Sequence, residues 1–209
     1  MTICTRATAI HEAGHIVAAK RYLLGYYEII VRPDGGPIID GRGRKSYDLG
    51  MMDGPAFDYD VMEKEKDHIP KWNFGDDHAD MVFKINELGF RHLVTTQAGP
   101  IAEARYSHHS IAAVALGPGY GDFRQSKSII DFLSRSEADE DRLWRDSAKA
   151  AAKIIRAEWQ TVLAVADAIR AGERVGSDHP AMAHISYLEG AAITELVAEI
   201  VNRLHRVVI

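Results

Sequence analysis

The stretch that decides the fold is Ala9-Ile10-His11-Glu12-Ala13-Gly14-His15-Ile16-Val17. It contains the pattern H-E-x-x-H, in which two histidines stand four residues apart. On an α-helix this spacing puts both imidazoles on one face, where together they can hold one zinc ion. Glu12 lies about 100° further round the helix. It therefore reaches the edge of the same site, where a general base for zinc-assisted hydrolysis is needed.

The residues around this motif predict a helix over 6–24, with apolar residues on one stripe and Gly25 as its stop. The β-forming run from Tyr26 to Arg32 predicts a strand followed by a turn, and short strands are expected at 38–39 and near 49–52. Residues 40–75 lack periodicity and predict a long irregular insertion, which in a compact domain is typical of a functional lid or of a partly disordered segment.

Helical spacing returns at Asp76. It predicts a helix that Gly89 interrupts and a second helix from Phe90 to Tyr106, with a kink or break at Gly99-Pro100. Three further helices are expected: Asp122 to Leu133, one long helix that starts after Ser136 and runs to Ala171, and a last helix after a capping box at Ser186 to Glu189.

These elements predict a single domain over 1–209 of mainly α structure with a small β-sheet, an α+β class. In it a zincin-like H-E-x-x-H helix is followed by a helical bundle. Trp144 and Trp159 fall on the apolar stripe of the long helix and are expected in the core.

Composition narrows the function classes. The chain has 209 residues, a net charge of −5 and one cysteine. The acidic balance argues against nucleic acid as the main partner, and a lone Cys4 excludes an intrachain disulfide, which favours a cytoplasmic setting. We expect no secretory signal and no membrane span, because no apolar run approaches the length of about 18 residues that spanning requires.

Two histidines leave one protein ligand to be found, because catalytic zinc usually has three. Asp122 follows the loop Gly117-Pro118-Gly119-Tyr120-Gly121, where the backbone can approach a metal closely. Glu103 lies among small residues that allow close helix packing, and it could act as a ligand or as the acceptor of a histidine N–H. His108 and His109 are further candidates, and the residues alone leave these alternatives open.

Three segments resemble the peptidase domain of FtsH-type ATP-dependent zinc metalloproteases: His11 to His15, Ala98-Gly99-Pro100-Ile101-Ala102-Glu103-Ala104, and Gly121-Asp122 at a helix start. The resemblance covers roughly residues 5–205. It implies zinc bound by His11, His15 and Asp122, Glu12 as the base, and Glu103 as a carboxylate that supports a ligand.

The sequence also departs from that family. It contains no Walker-type phosphate loop and no membrane anchor. Pro100-Ile101 replaces the family's arginine, Ala104 replaces its second acidic residue, and Gly121 replaces an asparagine. The resemblance therefore implies a stand-alone relative without ATP-driven unfolding. A homo-oligomer stays open, although the ATPase ring that supports the family's hexamer has no counterpart.

We therefore predict a Zn²⁺-dependent metallopeptidase that cleaves flexible or unfolded protein segments. Tyr120, His108 and His109 are candidate oxyanion donors, and the strand from Tyr27 to Val31 is a candidate edge for an extended substrate. The alternative is a non-catalytic zinc-binding regulatory or interaction module, which a fourth protein ligand such as Cys4 would favour. A hydrolase of non-peptide substrates is a third interpretation. The remaining histidines lack ligand-like spacing: His68, His78, His92, His179, His184 and His205.

Overall fold

The computed structural model describes residues 5–24, 28–31, 38–39, 45–46, 50–53, 76–171, 174–175, 185–189 and 198–200, with side chains in 5–24, 83–171 and 198–200. Residues 198–200 are helical, and the other helices are α1 Arg6–Arg21, α2 Asp76–Ser107, α3 Ile111–Ala115, α4 Tyr120–Leu133, α5 Glu137–Ala157 and α6 Trp159–Ala171.

Short strand segments lie outside the part of the chain whose side chains are described. They are β1 Glu28–Val31, β2 Ile38–Ile39, β3 Lys45–Ser46, β4 Gly50–Asp53, β5 Arg174–Val175 and β6 Ile185–Glu189. Four of them are paired in the order β4-β1-β6-β5, with every pairing antiparallel, and β2 pairs with β3 separately. In the central register Ile29 lies opposite Met52 on one side and Leu188 on the other.

The predicted α+β fold class is wrong for the part of the chain whose side chains are described. Of the residues whose side chains are described, about 87% are helical and none lies in a strand. The main buried cluster comes from α1, α2, α5 and α6 together with Ile200, and a second cluster joins Leu93 to Ile129 and Ile130. The helices bury their apolar faces on one another, so the described core is all-α rather than the α+β arrangement that we expected.

Helix α1 is the central element of this core. The Thr5 hydroxyl accepts the N–H of Thr8 at 3.1 Å and so begins the helix. Every residue from Thr8 to Ala19 is buried, whereas the sequence predicted only one apolar stripe. A helix that is buried on all sides must find partners for its polar side chains inside the protein.

Small residues let α1 approach α2 closely. A Cβ added to Gly14 would lie 2.7 Å from the carbonyl oxygen of Ala98 and 2.8 Å from the Cβ of Ala102. A Cβ atom essentially never lies this close to another heavy atom, so glycine is the residue that fits at this crossing. The same glycine stands inside the H-E-x-x-H motif, which brings the motif directly against α2.

The two helices predicted on either side of Gly89 are one continuous helix, and Gly99-Pro100 does not break it. Gly89 packs against the side chain of Leu133, and Pro100 packs against Gly119. The helix is continuous despite the intrinsic cost of about 1 kcal/mol for glycine and about 3 kcal/mol for proline in a helix interior. The helix ends at His108, whose φ of 59° is a left-handed helix stop.

Two other boundaries also differ from the prediction. The long helix expected up to Ala171 is divided at Glu158, whose carboxylate accepts the Thr161 hydroxyl at 3.0 Å. The prediction of a capping box at Ser186 is wrong, because this segment is strand β6. Its β-branched and aromatic residues favour an extended backbone. The cap at Ser136 is confirmed, since its hydroxyl accepts the Asp139 N–H at 3.3 Å.

The two tryptophans predicted in the core are half-buried. Trp144 stacks on Phe123 with ring centroids 5.5 Å apart, and Trp159 packs against the main cluster beneath the Arg105 guanidinium, 4.4 Å from the ring centre. The predicted insertion over 40–75 contains β3 and β4, and the rest of it lies outside the described residues, as does most of the predicted last helix. Within the described part of the chain, no helix combines the length and apolar character needed to cross a membrane.

Gly14→Ala tests the close crossing of α1 and α2. The added methyl group meets a backbone carbonyl that cannot rotate away, so we expect the metal-free protein to lose about 1–3 kcal/mol of unfolding free energy despite the better helix propensity of alanine. Gly89→Ala is the matched control, because its Cβ meets only the movable end of Leu133. Equal unfolding free energies in urea for wild type and Gly14→Ala would contradict the close crossing.

Candidate metal centre

Helix α1 carries the two motif histidines on consecutive turns. Their ring centroids lie 4.9 Å apart, and both side chains are buried. A buried imidazole needs a partner for each ring nitrogen that carries a proton. The partners of the four ring nitrogens therefore show what the pair can bind.

His15 is oriented by the main chain of α2. Its Nδ1–H donates to the carbonyl oxygen of Thr95 at 2.9 Å. Because a carbonyl can only accept, this contact places the proton of the neutral ring on Nδ1 and leaves a lone pair on Nε2. That lone pair faces the Asp122 carboxylate, whose Oδ1 is 3.4 Å away.

His11 is oriented in the same way by a side chain. Its Nδ1 lies 2.8 Å from Oε2 of Glu103, and its Nε2 lies 2.8 Å from Oδ2 of Asp122. Both imidazoles thus use Nδ1 for an oriented acceptor and direct Nε2 toward one carboxylate. Metal-binding histidines have this arrangement, because an acceptor on one nitrogen sets the tautomer and the orientation of the other.

Asp122 enters the cluster from the start of α4. This helix begins at Tyr120, two residues before the predicted start, with Gly119 as its N-cap and Asp122 in its first turn. The first turn carries the positive end of the helix dipole, which stabilises a carboxylate there. One carboxylate therefore faces the Nε2 atoms of both histidines.

The three side chains form a group that could hold a metal ion. One ligand atom from each of His11, His15 and Asp122 can be chosen so that all lie within 4.8 Å of one another. Ligand atoms around tetrahedral zinc lie about 3.3 Å apart, given bond lengths of about 2.0–2.1 Å. His11 Nε2 lies 2.8 Å from Oδ2 of Asp122 and His15 Nε2 lies 3.4 Å from Oδ1, so both imidazole nitrogens are about this far from a carboxylate oxygen. Two imidazoles and one carboxylate are also the donor types of catalytic zinc, which keeps a fourth position open.

Mutual contacts shift the pKa values within the cluster. Burial opposes the charged form of His11, but hydrogen bonds to Asp122 and Glu103 outweigh it and raise the pKa to about 10 from an ordinary 6.5. Burial likewise opposes charge on His15, and the charge of Asp122 still raises its pKa. Burial favours protonated Asp122, but the charge of His15 and the hydrogen bond with His11 hold the Asp122 pKa well below its usual range.

Glu12 lies on α1 beside both imidazoles and is 3% exposed. Its negative charge contributes to the raised pKa of His11 and of His15, which places the carboxylate within electrostatic range of both ligand candidates. A buried carboxylate next to a metal cluster is well placed to accept a proton. Its role as the base stays a prediction.

Several predicted candidates lie elsewhere. His108 and His109 are exposed and do not join the cluster, and Tyr120 is exposed at the start of α4. The prediction that the strand ending at Val31 offers a free edge to a substrate is wrong, because β1 is paired on both sides by β4 and β6. The side chains of Cys4, Tyr27, His68, His78, His179, His184 and His205 lie outside the described residues.

The residue that sequence reasoning missed is Thr95. It contributes a main-chain carbonyl, which every residue type possesses, so no side-chain signal could have identified it. Comparison with protein-family models and with curated proteins gave no match. The function is therefore argued from the chemistry of the site itself.

The raised pKa values predict that zinc binding releases protons. At pH 7 the metal-free His11 is protonated, and a zinc ligand must be unprotonated, so each ion bound should displace about one to two protons. Apparent zinc affinity should then rise about tenfold per pH unit for each proton released. Calorimetry in two buffers of different ionisation enthalpy measures this number, and equal binding enthalpies in both buffers would contradict it.

Glu103→Ala tests the orienting contact on His11. Without the carboxylate, the His11 ring loses its acceptor on Nδ1, and we expect zinc affinity to fall about 10–100-fold. Glu87→Ala is the control on the same helix, since Glu87 pairs with Arg91 on the surface. A competition assay against a zinc-binding dye gives both affinities, and equal values would remove Glu103 from the site.

Proposed function

We propose that the protein is a zinc-dependent metallopeptidase that hydrolyses peptide bonds in flexible or unfolded protein segments. The observation that carries the proposal is the convergence of His11 Nε2 and His15 Nε2 on the carboxylate of Asp122. Buried Glu12 beside this cluster completes the set that peptide hydrolysis needs. The proposed kinship with FtsH-type peptidase domains rests on these same residues.

Each residue has a distinct task in the proposed reaction. His11, His15 and Asp122 would hold the zinc ion, which would supply Lewis acidity to water and to the substrate carbonyl. Glu12 accepts the proton of the attacking water and then delivers it to the leaving amine. Glu103 and the Thr95 carbonyl hold the two imidazoles so that Nε2 is the atom that binds.

The composition of the segment that follows α2 favours a polypeptide as the proposed substrate. Residues 107–121 contain no Asp, Glu, Lys or Arg, in a chain in which 26% of residues are charged. Within this segment Leu116 is 69% exposed, Tyr120 51% and Ile111 49%. Contiguous exposed apolar surface is typical of binding sites, and we assign these three side chains to the proposed substrate surface. Unfolded segments expose the apolar side chains that such a surface would contact.

The number of ligands supports catalysis over a purely structural zinc site. Structural zinc sites are closed by four protein ligands. Among the described residues, the group of His, Cys, Asp and Glu side chains close enough to share an ion has three members, His11, His15 and Asp122. Such a set leaves room for water and substrate.

Glu12→Gln tests the proposed chemistry. The amide keeps the size of the side chain but cannot accept a proton, so we expect peptide cleavage to fall at least about 100-fold while one zinc ion stays bound. Cleavage of an unfolded, fluorescently labelled protein is followed together with zinc content by atomic emission.

The control is Glu87→Gln, an exposed glutamate on α2 that pairs with Arg91. It should cleave like wild type. Equal cleavage by wild type and Glu12→Gln at equal zinc content would contradict the mechanism. Zinc binding by the wild type with no cleavage of peptides or unfolded proteins would instead favour the non-catalytic zinc module.

A further inference from the structure

Gly99 on α2 makes room for the ring of His15. A Cβ added to Gly99 would lie 2.3 Å from His15 Nε2, 2.5 Å from Cε1 and 2.8 Å from Cδ2. The atom that any side chain here would strike first is therefore Nε2, the proposed zinc ligand. The ring can reach Asp122 only because this position has no side chain.

Pro100, the next residue, contacts the element that carries the third ligand. A Cβ added to Gly119 would lie 3.1 Å from Cγ of Pro100 and 3.2 Å from the carbonyl oxygen of Val114. Gly119 is the N-cap of α4, and its own N–H donates to Val114 at 2.9 Å. The proline ring thus packs on the backbone from which α4 begins, three residues before Asp122.

We propose that Gly99-Pro100 is a positioning element that sets the separation between His15 and Asp122 in the metal site. Adjacent residues of a helix point about 100° apart, so one dipeptide contacts α1 through Gly99 and the start of α4 through Pro100. The proposal rests on the proposed function, because it assumes that these two side chains bind zinc.

The presence of proline in the interior of α2 agrees with this role. Proline removes a backbone donor and crowds the preceding turn, so the helix itself gains nothing from it. Its ring contacts Gly119, which is the N-cap of the helix that carries Asp122. An alanine here would restore the backbone N–H and remove the ring. The substitution should therefore not weaken the helix, but it would remove the contact that positions the start of α4.

Pro100→Ala is therefore the central test. We expect an unfolding midpoint of the metal-free protein equal to or higher than that of wild type, and a zinc affinity at least tenfold lower. The visible absorption spectrum of the Co²⁺-loaded variant should also differ from that of wild type, because it reports the ligand geometry. Gly99→Ala should lower zinc affinity at least 100-fold, since its methyl group overlaps His15 Nε2.

Gly89→Ala is the matched control, because it alters the same pair of helices, α2 and α4, against Leu133 and away from the cluster. It should bind zinc as wild type does. Wild-type zinc affinity and Co²⁺ spectrum in Pro100→Ala would overturn the inference, whether or not Gly99→Ala folds. Equal zinc affinities in wild type and His11→Ala would instead contradict the proposed metal site itself. Failure of the positioning role and failure of the metal site are therefore distinguishable.

Discussion

The close contact between α1 and α2 is the constraint on which the rest of the site depends. Gly14 lets the backbone of α1 approach Ala98 and Ala102, and Gly99 leaves space for the ring of His15. At this separation the side chain of His11 reaches Glu103 and that of His15 reaches the main chain of α2. Wider spacing would leave both Nδ1 atoms without acceptors and both imidazoles without a defined orientation.

The same contact concentrates negative charge in the interior. Carboxylates of Glu12, Glu103 and Asp122 surround two imidazoles, and burying such groups is costly unless each is paired. Without metal, protons on the imidazoles supply the pairing, which is why the pKa of His11 is raised. A divalent cation can replace those protons, so the charge pattern that stabilises the metal-free protein also favours metal binding.

Part of this arrangement could be predicted from the sequence, because it depends on spacing along one helix. His11, Glu12 and His15 are such residues, and α1 places them together. Asp122 and Glu103 lie far from them in the chain, and they were proposed as a set through a family resemblance. The structure brings both next to His11.

The features that sequence reasoning missed depend on tertiary packing. Gly89, Gly99 and Pro100 were interpreted as helix breakers, whereas α2 continues through all three, and each of them lies against a neighbouring element. The burial of α1 on all sides depends on which helices surround it, and a sequence pattern cannot show that. A small sheet was expected as part of the fold, yet the described core is formed by helices alone.

The central claim is that His11, His15 and Asp122 bind one zinc ion and leave one position open. Anomalous diffraction at the zinc edge from crystals grown with Zn²⁺ tests it most directly. The account predicts a single strong peak bonded to Nε2 of both histidines and to the Asp122 carboxylate, with a non-protein fourth ligand. A peak at other residues, or one enclosed by four protein ligands, would contradict it.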